Sequence, residues 1–160
     1  MLISDYTKPL PYDIGSEAQK ASEIMQNGDH SGAIDLFDEI LHKNPYNFSI
    51  LTSKGHAQKT LGETERAIKS YQTAYQVKQD HGEAFFSLAN LKTYAFSENE
   101  LNIMREQLKR VDLTLRDKVY FHFALAQGCE AIGKFGEAFF HLEKGNKIKN
   151  DQSRTRQKYN

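Results

Sequence analysis

The chain has 160 residues, 39% hydrophobic and 26% charged, which is typical of a soluble globular protein and excludes a disordered or fibrous one. Lys plus Arg and Asp plus Glu number 21 each, so no net charge draws the chain toward nucleic acid or anionic lipid. A single cysteine excludes an internal disulfide framework. The first residues lack a basic leader with an apolar run, and no stretch approaches the roughly 20 apolar residues that span a bilayer. We predict a cytoplasmic location and no partnership with nucleic acid or a membrane.

The first 81 residues contain an N-terminal arm, 1–13, and two segments of 34 residues with a shared pattern. The arm carries Pro9 and Pro11. The segments 14–47 and 48–81 align without a gap and pair Ala21 with Gly55, Gly28 with Gly62, Ala33 with Ala67, and Phe37 with Tyr71. The same order returns near the end of the chain as Ala126, Gly133, Ala138 and Leu142. Coincidences at fixed spacing, three times over, indicate an internal repeat.

Each shared position can be given a structural role. Apolar residues recur at helical spacing on both sides of each glycine, which predicts two helices per repeat. The glycine allows the left-handed backbone that ends the first helix. The small alanine lets paired helices approach closely, and the aromatic residue four positions later fills the space between repeats. Pro45 ends the second helix of the first repeat, since proline cannot continue a helix.

This set of positions resembles the tetratricopeptide repeat (TPR). Departures are Glu17 in place of the opening aromatic residue, and Gln79 and Asn150 in place of the later prolines. The resemblance implies an all-α fold, a right-handed TPR superhelix (an α-α solenoid) of about four helix-turn-helix repeats. We predict a TPR domain over 14–150 and a polar C-terminal tail or helix end over 151–160. The predicted repeats are about 14–47, 48–81, 82–118 and 119–150.

The third repeat is irregular and has 37 residues. Phe96, Leu101 and Arg105 stand where the pattern requires glycine, alanine and an aromatic residue. The turn is made in another way, because Ser97 followed by Glu100 is the pattern of a capping box that starts a new helix. We therefore interpret the break as a rebuilt turn inside the array.

The helix predicted after this cap carries an apolar stripe at intervals of three and four, consisting of Leu101, Met104, Leu108 and Val111. Thr114 followed by Asp117 predicts a second cap, which starts the last repeat. The third repeat thus keeps two helices without the usual glycine.

The second half of the chain also resembles the repeat region that precedes the catalytic domain in bacterial TPR-containing sulfotransferases. The matching elements, over about 84–150, are Ala89 to Lys92, Ser97 to Glu100, Phe123 to Leu125, and Gly145 with Asn146. Ala126 departs from the Gly that is common there. The resemblance implies an alternative function, the N-terminal substrate-presenting or dimerising portion of a sulfotransferase. The loop of amides and hydroxyls that would hold the donor's phosphates is missing from the sequence, so the catalytic domain would be absent from this chain.

No pattern of catalytic or metal-ligating residues stands out. The six histidines, His30, His42, His56, His81, His122 and His141, include no i, i+4 pair enclosing a Glu. Cys129 has no CxxC partner and is expected to have no basic group nearby, which predicts a buried structural thiol. The basic end, GNKIKNDQSRTRQK, fits a solvated helix or tail better than a nucleic-acid surface. We predict no metal, no cofactor and no enzymatic activity in this chain.

In TPR proteins the first helix of each repeat lines a concave groove that holds an extended peptide or a partner's helix. The resemblance therefore implies a non-catalytic protein- or peptide-binding scaffold. The residues predicted to line the groove are His56, Lys59, Phe86, Asn90, Tyr94, Tyr120, Phe123 and Gln127. Aromatic rings would grip side chains and amides would bond a peptide backbone. An internal packing role stays open for the aromatic residues, whereas Asn90 has no packing reason to be polar.

Two further predictions concern partners. TPR proteins that clamp the carboxylate tails of heat-shock chaperones use Lys, Asn and Arg at positions that here hold Ala18, Ser22, Ser53, Glu83 and Ser87. Because no cation of the clamp is present, we exclude those tails as ligands. Phe139 and Phe140 lie near the end of the array, where a repeat needs a polar outer face, and they keep self-association open.

Overall fold

The structure is a computed structural model that describes residues 14–158. Within this range all regular structure is α-helical, as predicted, and no strand is present. The helices are α1 (Ile14–Gln26), α2 (His30–Lys43), α3 (Phe48–Thr60), α4 (Thr64–Val77), α5 (Gly82–Ala89), α6 (Glu98–Leu108), α7 (Leu115–Ala131) and α8 (Phe135–Lys158). The predicted arm, 1–13, lies outside the described residues, and the predicted domain and repeat boundaries stay predictions.

The chain divides into two compact units, Met1–Val77 and Lys78–Asn160. In the first unit, α1 packs on α2, α2 on α3, and α3 on α4. A buried cluster in this unit consists of Ala21, Ala33, Phe37, Ile40, Ile50 and Ala57. Small and aromatic residues of the repeat pattern are therefore core residues, because they fill the space where neighbouring helices meet.

The second unit is built around α7, which packs on α8, α5 and α6. Its largest fully buried side chains include Phe85, Leu88, Leu101, Met104, Phe121 and Leu125. The rings of Phe85 and Phe121 have their centroids 5.4 Å apart, so α5 and α7 meet through an aromatic contact. The face of α7 that this core does not cover carries the candidate site.

The turns follow the predicted chemistry. Gly28, Gly62 and Gly133 have φ of 92°, 78° and 77°, which confirms the left-handed glycine turns of the regular repeats. At the start of α6, the Ser97 hydroxyl accepts from the Glu100 amide at 3.2 Å, and the Ser97 amide donates to the Glu100 carboxylate at 2.9 Å. The predicted capping box is confirmed, and it replaces the glycine turn.

Other local predictions have mixed outcomes. The Thr114 cap is confirmed, because its hydroxyl accepts from the Asp117 amide at 3.1 Å. Val111 was wrongly placed in the apolar stripe, since α6 ends at Leu108 and Val111 is 98% exposed. Leu142 does not fill a space between repeats either, because it is 44% exposed while its neighbour His141 is buried.

Candidate peptide-binding site

Six of the eight predicted groove residues lie in the second unit. Phe86 is in α5, Asn90 caps the end of α5, and Tyr94 lies in the following loop. Tyr120, Phe123 and Gln127 are spaced i, i+3, i+7 along α7, which puts them on one face of that helix. These six residues are held by the packing of α5 on α7.

The aromatic members pack against each other. The Phe86 ring centroid lies 5.2 Å from that of Tyr120 and 6.4 Å from that of Phe123. Arg116 sits over the Tyr120 ring at 5.5 Å and pairs with Glu83 at 3.4 Å. All three rings are half-buried and their planes are tilted by 42° and 50°, so they form an aromatic wall that still presents area to a ligand.

Two exposed amides lie beside this wall. The Gln127 Nε2 donates to the Asn90 Oδ1 at 3.3 Å, which joins α7 to the end of α5. The pair leaves the Asn90 amide nitrogen as a donor and the Gln127 carbonyl oxygen as an acceptor. A peptide group needs this combination, because each residue of its backbone offers one N–H and one C=O.

The Tyr94 side chain makes its contacts within the protein. Its hydroxyl donates to the Glu100 carboxylate, and its ring meets the edge of the Phe96 ring at a centroid distance of 5.3 Å. The reason is that α5 ends at Ala89, so Tyr94 does not continue a helical face but sits in the loop above the capping box. The internal packing role that stayed open for the groove aromatics applies to Tyr94.

Two hollows adjoin the exposed face of α7. One has a volume of about 530 Å³ and is lined by residues that include Asn90, Leu91, Tyr94, Phe96, Gln127 and Ile132. We call it the amide hollow. The other has a volume of about 310 Å³ and is lined by residues that include Phe86, Phe123, Ala126, Phe135, Phe139 and Leu142. We call it the apolar hollow. Gln127 and Glu130 line both hollows and so form the ridge between them.

An ion pair joins α6 and α8, the two helices that pack on α7 together with α5. Arg105 donates to both carboxylate oxygens of Glu137, from Nε at 2.7 Å and from Nη2 at 3.2 Å, and so links α6 to α8. This hydrogen bonding keeps the pKa of Glu137 below its usual value. Arg105 also lies 4.0 Å from the sulfur of Cys129, so the expectation of no basic group near that thiol was wrong. Burial nevertheless raises the pKa of the fully buried Cys129 thiol.

A histidine pair joins α7 to α8. The Nδ1 atoms of His122 and His141 are 2.9 Å apart and their ring centroids are 5.2 Å apart. The Nδ1–Nδ1 distance is that of a hydrogen bond, in which one ring donates its N–H and the other accepts. Burial, together with His141 and Lys144, lowers the pKa of His122 to about 4, and burial lowers the pKa of His141.

Sequence reasoning missed both of these polar links. Arg105 and Glu137 are 32 residues apart and the two histidines 19 residues apart, so no local motif joins them. The one available signal was Arg105 itself, a charge at an aromatic position of the repeat. Across residues 14–158, no three His, Cys, Asp or Glu side chains are grouped so that they could hold a metal ion.

The other two predicted groove residues lie in the first unit, on α3. The Nδ1 of His56 is 2.8 Å from the hydroxyl of Tyr71 in α4, and their ring centroids are 5.5 Å apart. Lys59 is exposed near the end of α3. His56 thus has a partner inside its own unit, and Lys59 is presented to solvent. No helix within residues 14–158 is both long and apolar enough to cross a bilayer.

Comparison with known proteins supports the fold class. The chain matches no protein-family model and no curated protein. It is similar to solved structures of MamA. A structure described as a MamA RS-1 ArsTM double mutant has a TM-score of 0.59 at 16% identity, over 94% of this chain and 83% of that chain. A crystal structure of MamA has a TM-score of 0.62 at 16% identity, over 95% and 89%.

A third structure, MamA MSR-1 C2, has a TM-score of 0.56 at 16% identity, over 94% of this chain and 84% of that chain. These similarities show that the chain has the TPR-like helical solenoid fold that its sequence predicts. At such low identity they show the fold alone. They do not show the resemblance to sulfotransferase repeat regions, which stays a prediction.

Proposed function

We propose that this protein is a non-catalytic scaffold that binds a peptide or a protein segment on the exposed face of α7. The observation that carries the proposal is the exposed Asn90–Gln127 amide pair together with the aromatic wall of Phe86, Tyr120 and Phe123. The amides offer a donor and an acceptor to the backbone of a bound segment, and the rings offer contact area to its side chains.

The amide hollow has the size and lining of a binding site. Its volume, about 530 Å³, falls within the range of roughly 300–1,000 Å³ that is usual for ligand pockets. Leu91, Phe96 and Ile132 give it apolar walls, while the two amides lie at its edge. A few polar groups in a mostly apolar hollow fix the orientation of a ligand more than they add affinity.

The reactive side chains near this face are unsuited to catalysis. The two histidines of α7 and α8 are hydrogen-bonded to each other, and the pKa of each is lowered. Cys129 is fully buried and the pKa of its thiol is raised, so it would be a poor nucleophile. We therefore propose binding without chemistry.

The test is selection of ligands from a displayed library of random peptides, followed by isothermal titration of the selected peptides. Replacing both amides, with Asn90→Ala and Gln127→Ala, should weaken binding about tenfold or more, since two hydrogen bonds of about 1 kcal/mol each are lost. The matched control is Gln76→Ala with Asn150→Ala, two exposed amides elsewhere on the surface. If the two double variants bind the peptides with equal affinity, the binding site does not lie on this face of α7.

The sulfotransferase-associated function stays an alternative that comes from the sequence alone. It predicts an open reading frame that continues past codon 160 and encodes a strand followed by a phosphate-binding loop. A stop codon at that place in the gene would overturn it. The cytoplasmic location and the exclusion of heat-shock chaperone tails also stay predictions, which fractionation and titration with such tails would check.

A further inference from the structure

An apolar stripe runs along the exposed side of α8. Phe135, Phe139 and Leu142 are spaced i, i+4, i+7, so they lie on one face of the helix. They are 67%, 62% and 44% exposed. Large apolar side chains of a soluble protein are rarely left open in a contiguous row unless a partner covers them.

The stripe forms one wall of the apolar hollow. Phe123 and Ala126 of α7 and Phe86 of α5 also line it. The close approach of Phe123 to α8 depends on Gly145, because a Cβ at that position would lie 2.8 Å from the Phe123 ring. The hollow is thus a built feature of three helices.

A cationic side chain lies beside the Phe123 ring, which lines the hollow. The Lys149 Nζ lies 5.7 Å from the centroid of the Phe123 ring, and within residues 14–158 Lys149 has no carboxylate partner. Lys149 belongs to the stretch 144–158 of α8, where six Lys or Arg stand against a single Asp, a net formal charge of +5. Glu130 is one of the residues that line the hollow.

We propose that the apolar hollow binds an amphipathic helix that carries acidic residues near one end. This inference rests on the proposed binding function and gives its partner a chemistry. The i, i+4, i+7 stripe matches the way in which a helix lays its apolar face into a groove. Lys149 beside the Phe123 ring attracts carboxylates, while Glu130 in the lining repels them, so we place the acidic residues of the partner near Lys149 and away from Glu130.

The probe is a synthetic amphipathic helix of about 18 residues, or ~27 Å. It has a Leu stripe, Glu at the polar positions of one half, Gln at those of the other half, and one Trp within the stripe. Because the protein contains no Trp, the fluorescence of the probe reports binding without background. A second probe has Lys in place of every Glu. We expect the Glu probe to bind at least about tenfold more tightly than the Lys probe.

Two variants of the protein locate the contact. Phe135→Ser with Phe139→Ser removes the stripe at exposed positions, so the fold is retained and binding of the Glu probe should be lost. Lys149→Glu should weaken binding at least about fivefold, whereas Lys147→Glu, about 160° away around α8, makes the same charge change with less than a twofold effect. Circular dichroism confirms that each variant is folded.

The outcomes separate this inference from the proposed function. Equal binding of the Glu and Lys probes, or equal effects at Lys149 and Lys147, would overturn it. So would binding of phosphatidylglycerol vesicles in place of the Glu probe, since the ligand would then be a lipid surface. If library peptides still depend on Asn90 and Gln127 while the Glu probe does not bind, the inference fails and the proposed function stands.

Discussion

In the first unit, the turn between α3 and α4 is made by Gly62, and the aromatic position of the repeat is filled by Tyr71. The Tyr71 side chain is fully buried and lies over Gly55, where a Cβ would come within 2.5 Å of the ring. Its hydroxyl has a partner in His56. The small residue and the large one therefore complement each other, and the hairpin is held by packing.

In the second unit, α6 has the same place in the repeat but different chemistry. The glycine turn is replaced by the Ser97–Glu100 capping box, and the aromatic residue is replaced by Arg105. Arg105 makes two hydrogen bonds to Glu137 of α8. Tyr71, by contrast, packs on α3, the other helix of its own hairpin. The aromatic position of the repeat can therefore hold one partner of an ion pair in place of a packed ring, when a different turn precedes its helix.

The largest expected effect is on the packed hairpin. Tyr71→Ala should lower the free energy of unfolding by about 3–5 kcal/mol, because it removes a buried ring and leaves a cavity over Gly55. Urea denaturation followed by circular dichroism measures the loss. Tyr71→Phe is the control, since it keeps the buried ring and removes the hydroxyl that lies 2.8 Å from His56 Nδ1, a hydrogen bond worth about 1 kcal/mol. If the two variants lose the same stability, packing is not what holds this hairpin.

The glycine turn of that hairpin should respond to a side chain. Gly62→Ala places a Cβ at a φ of 78° and should cost about 1–2 kcal/mol. No atom lies within 4 Å of the added Cβ, so a loss in urea denaturation reports the backbone conformation and not a clash. Gly136→Ala is a matched control with open space and without a positive φ, and it should not destabilise the protein.

A substitution in the rebuilt turn should lower the free energy of unfolding less than the substitution in the glycine turn. Ser97→Ala removes the side-chain acceptor of the capping box and should cost about 1 kcal/mol. Hydrogen exchange should show the loss in the first turn of α6. Ser153→Ala, at an exposed position in the middle of α8, is the control and should leave stability nearly unchanged. Unaltered exchange at the start of α6 in the Ser97 variant would contradict the role assigned to the cap.

This contrast also explains what the sequence could predict. Gly62 and the Ser97–Glu100 pair act through neighbours within a few residues, so their patterns can be recognised in the sequence. The end of α5 was not predicted, because no glycine or proline follows Ala89 and the repeat pattern favoured a longer helix. Of the candidate site, residue identities were predicted but not their surroundings, since the hydrogen bond of Tyr94 to Glu100 depends on that early helix end.

The ion pair between α6 and α8 should contribute less than packing does. Glu137→Gln should cost up to about 1 kcal/mol, because the Arg105 and Glu137 side chains are still 22% and 31% exposed to water. The loss should shrink in high salt. Glu106→Gln, in the exposed pair with Lys109, should change stability by no more than about 0.5 kcal/mol. Because the pKa of Glu137 is lowered in the folded state, its contribution is present above pH 4.5 and is lost as the pH falls below that value.

The smallest expected effect comes from the histidine pair of the second unit. Its neighbours include the cations Lys118 and Lys144 and the carboxylate of Glu137, and the pKa of His122 is lowered to about 4. A histidine with a lowered pKa binds its proton better in the unfolded chain, so folding stability falls as the pH drops from about 6.5 toward 4. Allowing for water around the half-buried His122, the loss at pH 5 should be below about 1 kcal/mol.

Hydrogen exchange at pH 7 and pH 5 locates this loss. Protection should decrease at pH 5 in α7 and α8 more than in α3 and α4, because the hydrogen-bonded contact lies between α7 and α8. His122→Gln should reduce the difference between the two pH values, whereas His42→Gln, exposed on α2, should leave it unchanged. An equal decrease in α3 and α4 would mean that acid acts on the whole chain, and the difference between the two units would not extend to their response to pH.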